Sequence, residues 1–230
     1  MIYYPSLSTI QVAAPFTGSV NLKLFLTAVN YDRATSVSVA SAPVGKYNQS
    51  FQDVRTVNIP NGNGTNSKPI ICTVRNPYAR FAVRWLRNTK ERTGQGLTPF
   101  TFSEWITEYN NNHWVAPLLP GGLWEKVTTN VADFQFGQIT SQITNCSIDL
   151  NNILFIHYEN FQNEVRNIQY IDLARPAQAA AFNEYIVAFP PTEADYSNWK
   201  SLYTADLANK VYTAFVGDFV TFGYTQNSWQ

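Results

Sequence analysis

Between an apolar strand-like run and an apolar helix-like run the chain carries Pro15, Phe16, Thr17, Gly18, Ser19, Val20 and Asn21. A small-residue turn that opens a helix presents free backbone N–H groups and the positive end of the helix dipole, which together attract an anion. Gly18 permits close approach of the backbone to a ligand, and Thr17, Ser19 and Asn21 add side-chain donors. An oxyanion site is one reading of this turn. The other is an ordinary capped strand-to-helix turn, because short glycine-containing turns are common. Neither Gly-x-x-x-x-Gly-Lys-Ser/Thr nor Gly-x-Gly-x-x-Gly occurs in the chain, so a nucleoside-triphosphate loop or a dinucleotide fingerprint is not supported.

Groups able to move a proton are few. The two histidines are His113, within Asn-Asn-Asn-His-Trp-Val-Ala-Pro, and His157, which closes an apolar run. His113 reads either as a general base or as a loop histidine packed on Trp114, and Asp32, Asp53 and Glu104 are alternative bases. For His157 an interior or edge role fits better. Lys23 lies further along the helix opened by the turn, where a lysine is ordinarily solvated. Arg80, Arg84 and Arg87 share one helical face, which is either a solvated basic face or a grip on a phosphate or an acidic acceptor.

The elements that must position these groups alternate between strand and helix. Thr-Ile-Gln-Val-Ala-Ala, from Thr9, is a strand that stops at Pro15, and 19–30 reads as a buried helix. Two weaker strand signals follow, then a turn-rich loop at 60–68. Residues 69–74 form a core strand, and the segment after Asn76 switches to helical spacing with Phe81, Trp85 and Leu86 inward. A helix is expected near 100–112 and a third core strand from Ile153 to about His157. A final helix is capped by Thr204, with Asp206 in its first turn and Leu207, Val211 and Phe215 at four-residue spacing. This alternation predicts an α/β fold with a largely parallel sheet covered on both faces, and 230 residues with 45% hydrophobic content suit a single domain, 1–230.

Sixteen basic and sixteen acidic residues give no net charge, which argues against bulk attraction to nucleic acid or to an anionic membrane. Two cysteines, Cys72 and Cys146, are too few for a disulfide framework or a structural zinc site and read as buried thiols. With no signal-like or membrane-length apolar segment, a cytoplasmic location is expected, and the sequons at Asn48, Asn63 and Asn145 weigh little in so Asn-rich a chain. The aromatic residues around Trp105, Trp114 and Trp124 would suit a sugar platform, although most such residues are core.

Four patches in order resemble the sulfotransferases. Pro-Phe-Thr-Gly-Ser-Val-Asn-Leu-Lys is similar to their 5′-phosphosulfate loop, and Thr-Val-Arg-Asn-Pro-Tyr-Ala-Arg-Phe-Ala-Val-Arg-Trp resembles their 3′-phosphate motif. Ile-Leu-Phe-Ile-His-Tyr-Glu-Asn-Phe resembles the third patch of the carbohydrate sulfotransferases, and the segment from Tyr203 to Tyr224 looks like their final helix. The resemblance implies a P-loop-like sulfotransferase fold and a sulfuryl donor, 3′-phosphoadenosine 5′-phosphosulfate (PAPS), used without a metal. It implies transfer to a hydroxyl or amine of a carbohydrate or other small acceptor, with no nucleic-acid or membrane partner. Carried over by position, residues at the Phe16, Thr17, Gly18, Ser19, Val20 and Asn21 positions wrap the phosphosulfate and Arg75 holds the 3′-phosphate. Two positions depart from the pattern. Phe16 stands where the family has a lysine, and Val83 where it has a serine, so Lys23 and Arg84 are the expected substitutes. His113 matches a His-Trp pair of some carbohydrate sulfotransferases and is the expected base. The alternative is a catalytically impaired relative that only binds nucleotide or glycan. Neither the acceptor nor the oligomeric state is legible.

Overall fold

The computed structural model describes residues 2–4, 9–12, 17–29, 35–36, 70–112, 114–115, 125–126, 153–166, 168, 180 and 198–230. In chain order the elements are β1 (Ile2–Tyr4), β2 (Thr9–Gln11), α1 (Ser19–Val29), β3 (Thr35–Ser36), β4 (Ile70–Val74), α2 (Pro77–Gly94) and α3 (Phe102–Asn112). The short pair β5 (Trp114–Val115) and β6 (Glu125–Lys126), then β7 (Ile153–His157), α4 (Phe161–Arg166) and α5 (Ala205–Thr221), complete the set. Single 3₁₀ turns span Tyr158–Asn160 and Trp199–Leu202.

The main sheet has the order β3-β1-β2-β4-β7. β2, β4 and β7 run parallel, with Ile10 opposite Ile70 and Val74 opposite His157, whereas β1 pairs antiparallel with both β2 and β3. The expected strand-to-helix units are therefore present; β1, not foreseen from the sequence, adds an antiparallel edge together with β3, which opens the first of the two weaker strand signals, at 35–41. Side chains alternate across a strand, yet all five residues of β4 are buried, so this central strand is covered on both faces.

Helix α2 starts where Asn76 caps it, its side-chain oxygen accepting the Tyr78 N–H at 3.0 Å, with Pro77 at the first helical position where a missing N–H costs nothing. Helix α3 opens on a capping box: the Glu104 carboxylate accepts from the Thr101 N–H and hydroxyl, each at 2.8 Å, and the Thr101 hydroxyl accepts the Glu104 N–H at 3.2 Å. Helix α5 is capped by Thr204, which accepts the Leu207 N–H at 3.3 Å. Helices α2, α3 and α5 bury one aromatic cluster, in which Tyr78 meets Tyr203 and Phe219 edge-on at 5.1 and 4.7 Å and Phe81 meets Phe215 at 5.8 Å. Leu207, Val211 and Phe215 all belong to it, as their spacing predicts, and fully buried Trp105 is part of it rather than of a sugar platform. Among the described residues no helix is long and apolar enough to cross a membrane.

Candidate functional site

Parallel pairing brings the carboxyl ends of β2, β4 and β7 to one end of the sheet, and the three chain segments that leave them meet there. After β2 comes the turn of Thr17 and Gly18, which opens α1. After β4 come Arg75 and Asn76, which open α2. After β7 comes the 3₁₀ turn of Tyr158, Glu159 and Asn160.

The first segment is anchored by polar contacts to its neighbours. Thr17 is buried and its hydroxyl lies 3.2 Å from that of Thr73 on β4. Gln11, at the end of β2, donates its amide to the Ser19 carbonyl at 2.8 Å and accepts the Tyr4 hydroxyl at 3.0 Å. The Gly18 carbonyl accepts the N–H groups of Asn21 and Leu22 at 2.9 and 3.2 Å, which leaves the Ser19 and Val20 N–H groups without an intrahelical acceptor at the start of an eleven-residue helix. Glycine is required here on two counts. Its φ is +81°, and a Cβ would fall 2.1 Å from Cδ2 and 2.3 Å from Cε2 of Tyr158.

Tyr158 joins the three segments. Its ring lies against Gly18, its hydroxyl accepts the Asn21 side-chain amide at 3.2 Å, and the Arg75 guanidinium carbon sits 4.5 Å from its ring centroid. The turn and Arg75, at the ends of the neighbouring strands β2 and β4, are thus joined through one shared ring. The next residues interlock as well. Glu159 accepts the Asn76 N–H at 2.7 Å and the Tyr224 hydroxyl at 2.8 Å. Burial, reinforced by the Glu159 carboxylate, holds the Tyr224 hydroxyl well above the ordinary tyrosine range, and Arg75 opposes that rise. Tyr224 is thus a neutral donor at neutral pH.

Of the three side-chain donors expected at the turn, Thr17 and Asn21 have partners within the protein, Thr73 and Tyr158 respectively. The donors of the turn that these contacts do not engage are the Ser19 hydroxyl and the backbone N–H groups of Ser19 and Val20 at the start of α1. Lys23 is exposed on α1, and its backbone carbonyl lies 3.5 Å from the Tyr4 hydroxyl. Phe16 and His113 lie outside the described residues, as do Asp32, Asp53 and Cys146. Cys72, on β4, is buried, and burial raises its thiol pKa.

On α2 the basic face divides. Arg80 and Arg84 are 3% and 1% exposed, so they are not a solvated surface, whereas Arg87 is exposed and pairs with Glu91 at 2.9 Å. Val83 is buried on the same helix. Glu104, one of the alternative bases, is exposed and committed to capping α3, and its hydrogen bonds from Thr101 lower its pKa. His157 sits at the end of the edge strand β7: Nδ1 lies 3.2 Å from the Glu164 carboxylate and Nε2 lies 3.1 Å from the Phe222 carbonyl, to which it donates. That is the structural role its position suggested.

Sequence reasoning did not single out Tyr158, Glu159, Asn76 or Tyr224. A local signal existed for Asn76, since Asn-Pro ahead of a helical pattern marks a cap. For Tyr158 and Glu159 the only signal was the third patch as a whole.

No family model and no curated protein matches this chain. Among solved structures it is similar to mouse sulfotransferase SULT7A1 complexed with PAP, with a TM-score of 0.47 and 13% sequence identity over 96% of this chain and 93% of that one.

Proposed function

We propose that the protein binds PAPS at the ends of β2 and β4 and transfers its sulfuryl group to a hydroxyl or amine of a carbohydrate or other small acceptor. One observation carries the reading: the Tyr158 ring touches both Gly18, at the start of α1, and Arg75, so a helix N-terminus and a guanidinium lie a side chain apart. The sequence resemblance in four ordered patches supplies the identity of the ligand.

The residues present fit the two charged ends of such a donor. The opening N–H groups of α1 suit the 5′-phosphosulfate, because they are fixed dipoles that need no reorganisation. Arg75 suits the 3′-phosphate, because guanidinium donors grip phosphate oxygens in pairs and keep their charge. When bound, the donor supplies an activated sulfuryl group. The chain's own contribution is to orient that group, and Tyr158 keeps the turn and Arg75 in fixed relation while Arg80 and Arg84 add positive charge along α2. Under this reading His113 acts as the base toward the acceptor, with Lys23 and Arg84 replacing the family's missing lysine and serine. It is a cytoplasmic enzyme of one domain.

A second reading, nucleotide or glycan binding without efficient transfer, is favoured by one observation. Lys23 is exposed, whereas a cation acting on the leaving phosphate has to be positioned next to it. Calorimetry with adenosine 3′,5′-bisphosphate tests the binding half shared by both readings. Micromolar affinity that disappears in Arg75→Ala is the expected result, and no heat at millimolar nucleotide would sink the first reading and leave only glycan binding of the second. Sulfate transfer from labelled PAPS to a panel of glycans and phenols then separates them.

A further inference from the structure

The segment that follows α5 turns back onto the Arg75 junction. Gly223, at φ +72°, ends the helix, and the Tyr224 N–H reaches back to the Phe219 carbonyl at 2.9 Å, a pairing that reverses the chain. At the root of this reversal His157 Nε2 donates to the Phe222 carbonyl, and the His157 and Tyr224 rings meet edge-on at 5.6 Å. From there the segment makes three bonds shorter than 3 Å to the start of α2 and its neighbour, and the Asn76 side-chain amide also lies 3.5 Å from the Ser228 carbonyl. The Tyr224 hydroxyl donates to Glu159 at 2.8 Å, the Tyr78 hydroxyl donates to the Gln226 carbonyl at 2.7 Å, and the Asn76 side-chain amide donates to the Ser228 hydroxyl at 2.9 Å. The Ser228 hydroxyl in turn donates to the Thr225 carbonyl at 2.7 Å, so its lone pair is aimed at Asn76.

Two of these bonds land beside the residues that set Arg75. Asn76 follows Arg75 in the chain, and its N–H is held by Glu159, which follows the Tyr158 ring under the guanidinium. The third holds the first turn of α2, at Tyr78. Glu159 serves two donors at once, the Asn76 N–H through one oxygen and Tyr224 through the other. Removing the Tyr224 hydroxyl leaves that carboxylate free to rotate, and with it the backbone of Asn76.

We infer that residues 222–230 form a strap that fixes where the Arg75 guanidinium points, with Tyr224 and Ser228 as positioning residues for the 3′-phosphate. The inference rests on the nucleotide reading above. A positioning role differs from general bracing in being selective: it affects the ligand group that Arg75 holds and spares the group held by α1.

The test compares adenosine 3′,5′-bisphosphate with adenosine 5′-monophosphate, which lacks only the phosphate assigned to Arg75. Wild type is expected to prefer the bisphosphate. In Tyr224→Phe, which keeps the ring against His157, and separately in Ser228→Ala, that preference should shrink about three- to tenfold, the worth of one hydrogen bond, while monophosphate affinity holds. Amide exchange at Asn76 should accelerate in Tyr224→Phe with or without nucleotide. An unchanged preference in both variants overturns the inference, and so does an equal weakening of both nucleotides. If wild type itself binds neither nucleotide, the functional reading fails and takes this inference with it, a result visible before any variant is made.

Discussion

Replacing Gly18 by alanine concentrates two penalties at one atom. An L-residue held at φ +81° loses about 1–2 kcal/mol relative to glycine. The new methyl would also stand 2.1 Å from a Tyr158 ring carbon, well inside contact distance, so the ring must move or the turn must open; overpacking of this kind costs about 1–3 kcal/mol. The ring cannot swing freely, since its hydroxyl is held by Asn21 and its face is covered by Arg75. Together the terms give a loss of about 2–5 kcal/mol, a large fraction of a typical domain's stability. Urea unfolding followed by tryptophan fluorescence reads it as a lower midpoint at constant slope. The two penalties separate in a double-mutant cycle with Tyr158→Ala, which removes every ring carbon the new methyl would meet. The steric part should vanish in that background and the backbone part should remain, leaving about 1–2 kcal/mol. A Gly18→Ala variant with a wild-type midpoint would refute the placement of Tyr158 on the turn. A cost that stays the same in the Tyr158→Ala background would show that the ring is not its source.

Two further outcomes are expected. Burial pushes the Tyr78 hydroxyl up to about 12 and raises those of Tyr203 and Tyr224, so these groups stay neutral in the folded chain when an unfolded tyrosine, near 10, has begun to ionise. Their contribution to stability is therefore complete below about pH 10 and drains away as pH rises toward and through 12; urea midpoints level to about pH 9.5 and falling beyond it would match, and level midpoints to about pH 11.5 would contradict it. Phe16→Lys restores a cation next to the residues proposed to bind the phosphosulfate, so under the enzymatic reading it should raise turnover or tighten the bisphosphate product, and a variant that folds without either change would detach Phe16 from the leaving group.

The parts of the fold legible in the sequence are those whose periodicity is strong and whose ends carry chemical markers. Helix α2 is readable because Asn76 and Pro77 mark its start and Phe81 marks its inner face, and α5 because Thr204 caps three inward residues at four-residue spacing. Strands β4 and β7 are readable as short apolar runs ahead of turn residues. The antiparallel β1 edge is not, because three residues offer no period to detect. Arginines 80 and 84 show a different limit. Spacing puts them on one face with Arg87, but only packing against other elements decides which part of that face is covered, and two of the three are inside.

The candidate site is legible as two separate anchors and illegible as an assembly, and the reason is physical. A helix N-terminus and an arginine after a strand are local features, each specified by a few consecutive residues. What relates them is a tyrosine 140 positions after Gly18, whose contacts depend on β7 pairing beside β4 in the register that sets His157 opposite Val74. A one-residue slip of β7 would exchange the faces of the sheet and carry Tyr158 away from Gly18. The register is held at its end by His157, whose backbone N–H donates to Glu164 at 2.6 Å while its ring reaches the Phe222 carbonyl. The histidine whose position spoke against proton transfer thus contributes by locking the strand that delivers Tyr158 and Glu159. For the same reason the polar side chains at the three strand ends are mostly engaged within the protein: Thr17 with Thr73, Asn21 with Tyr158, Glu159 with the Asn76 backbone N–H, and the Asn76 side-chain amide with Ser228. Under the nucleotide reading proposed above, such a framework holds the anion with the opening N–H groups of α1 and the Arg75 guanidinium, and the transfer step falls to Lys23 and His113.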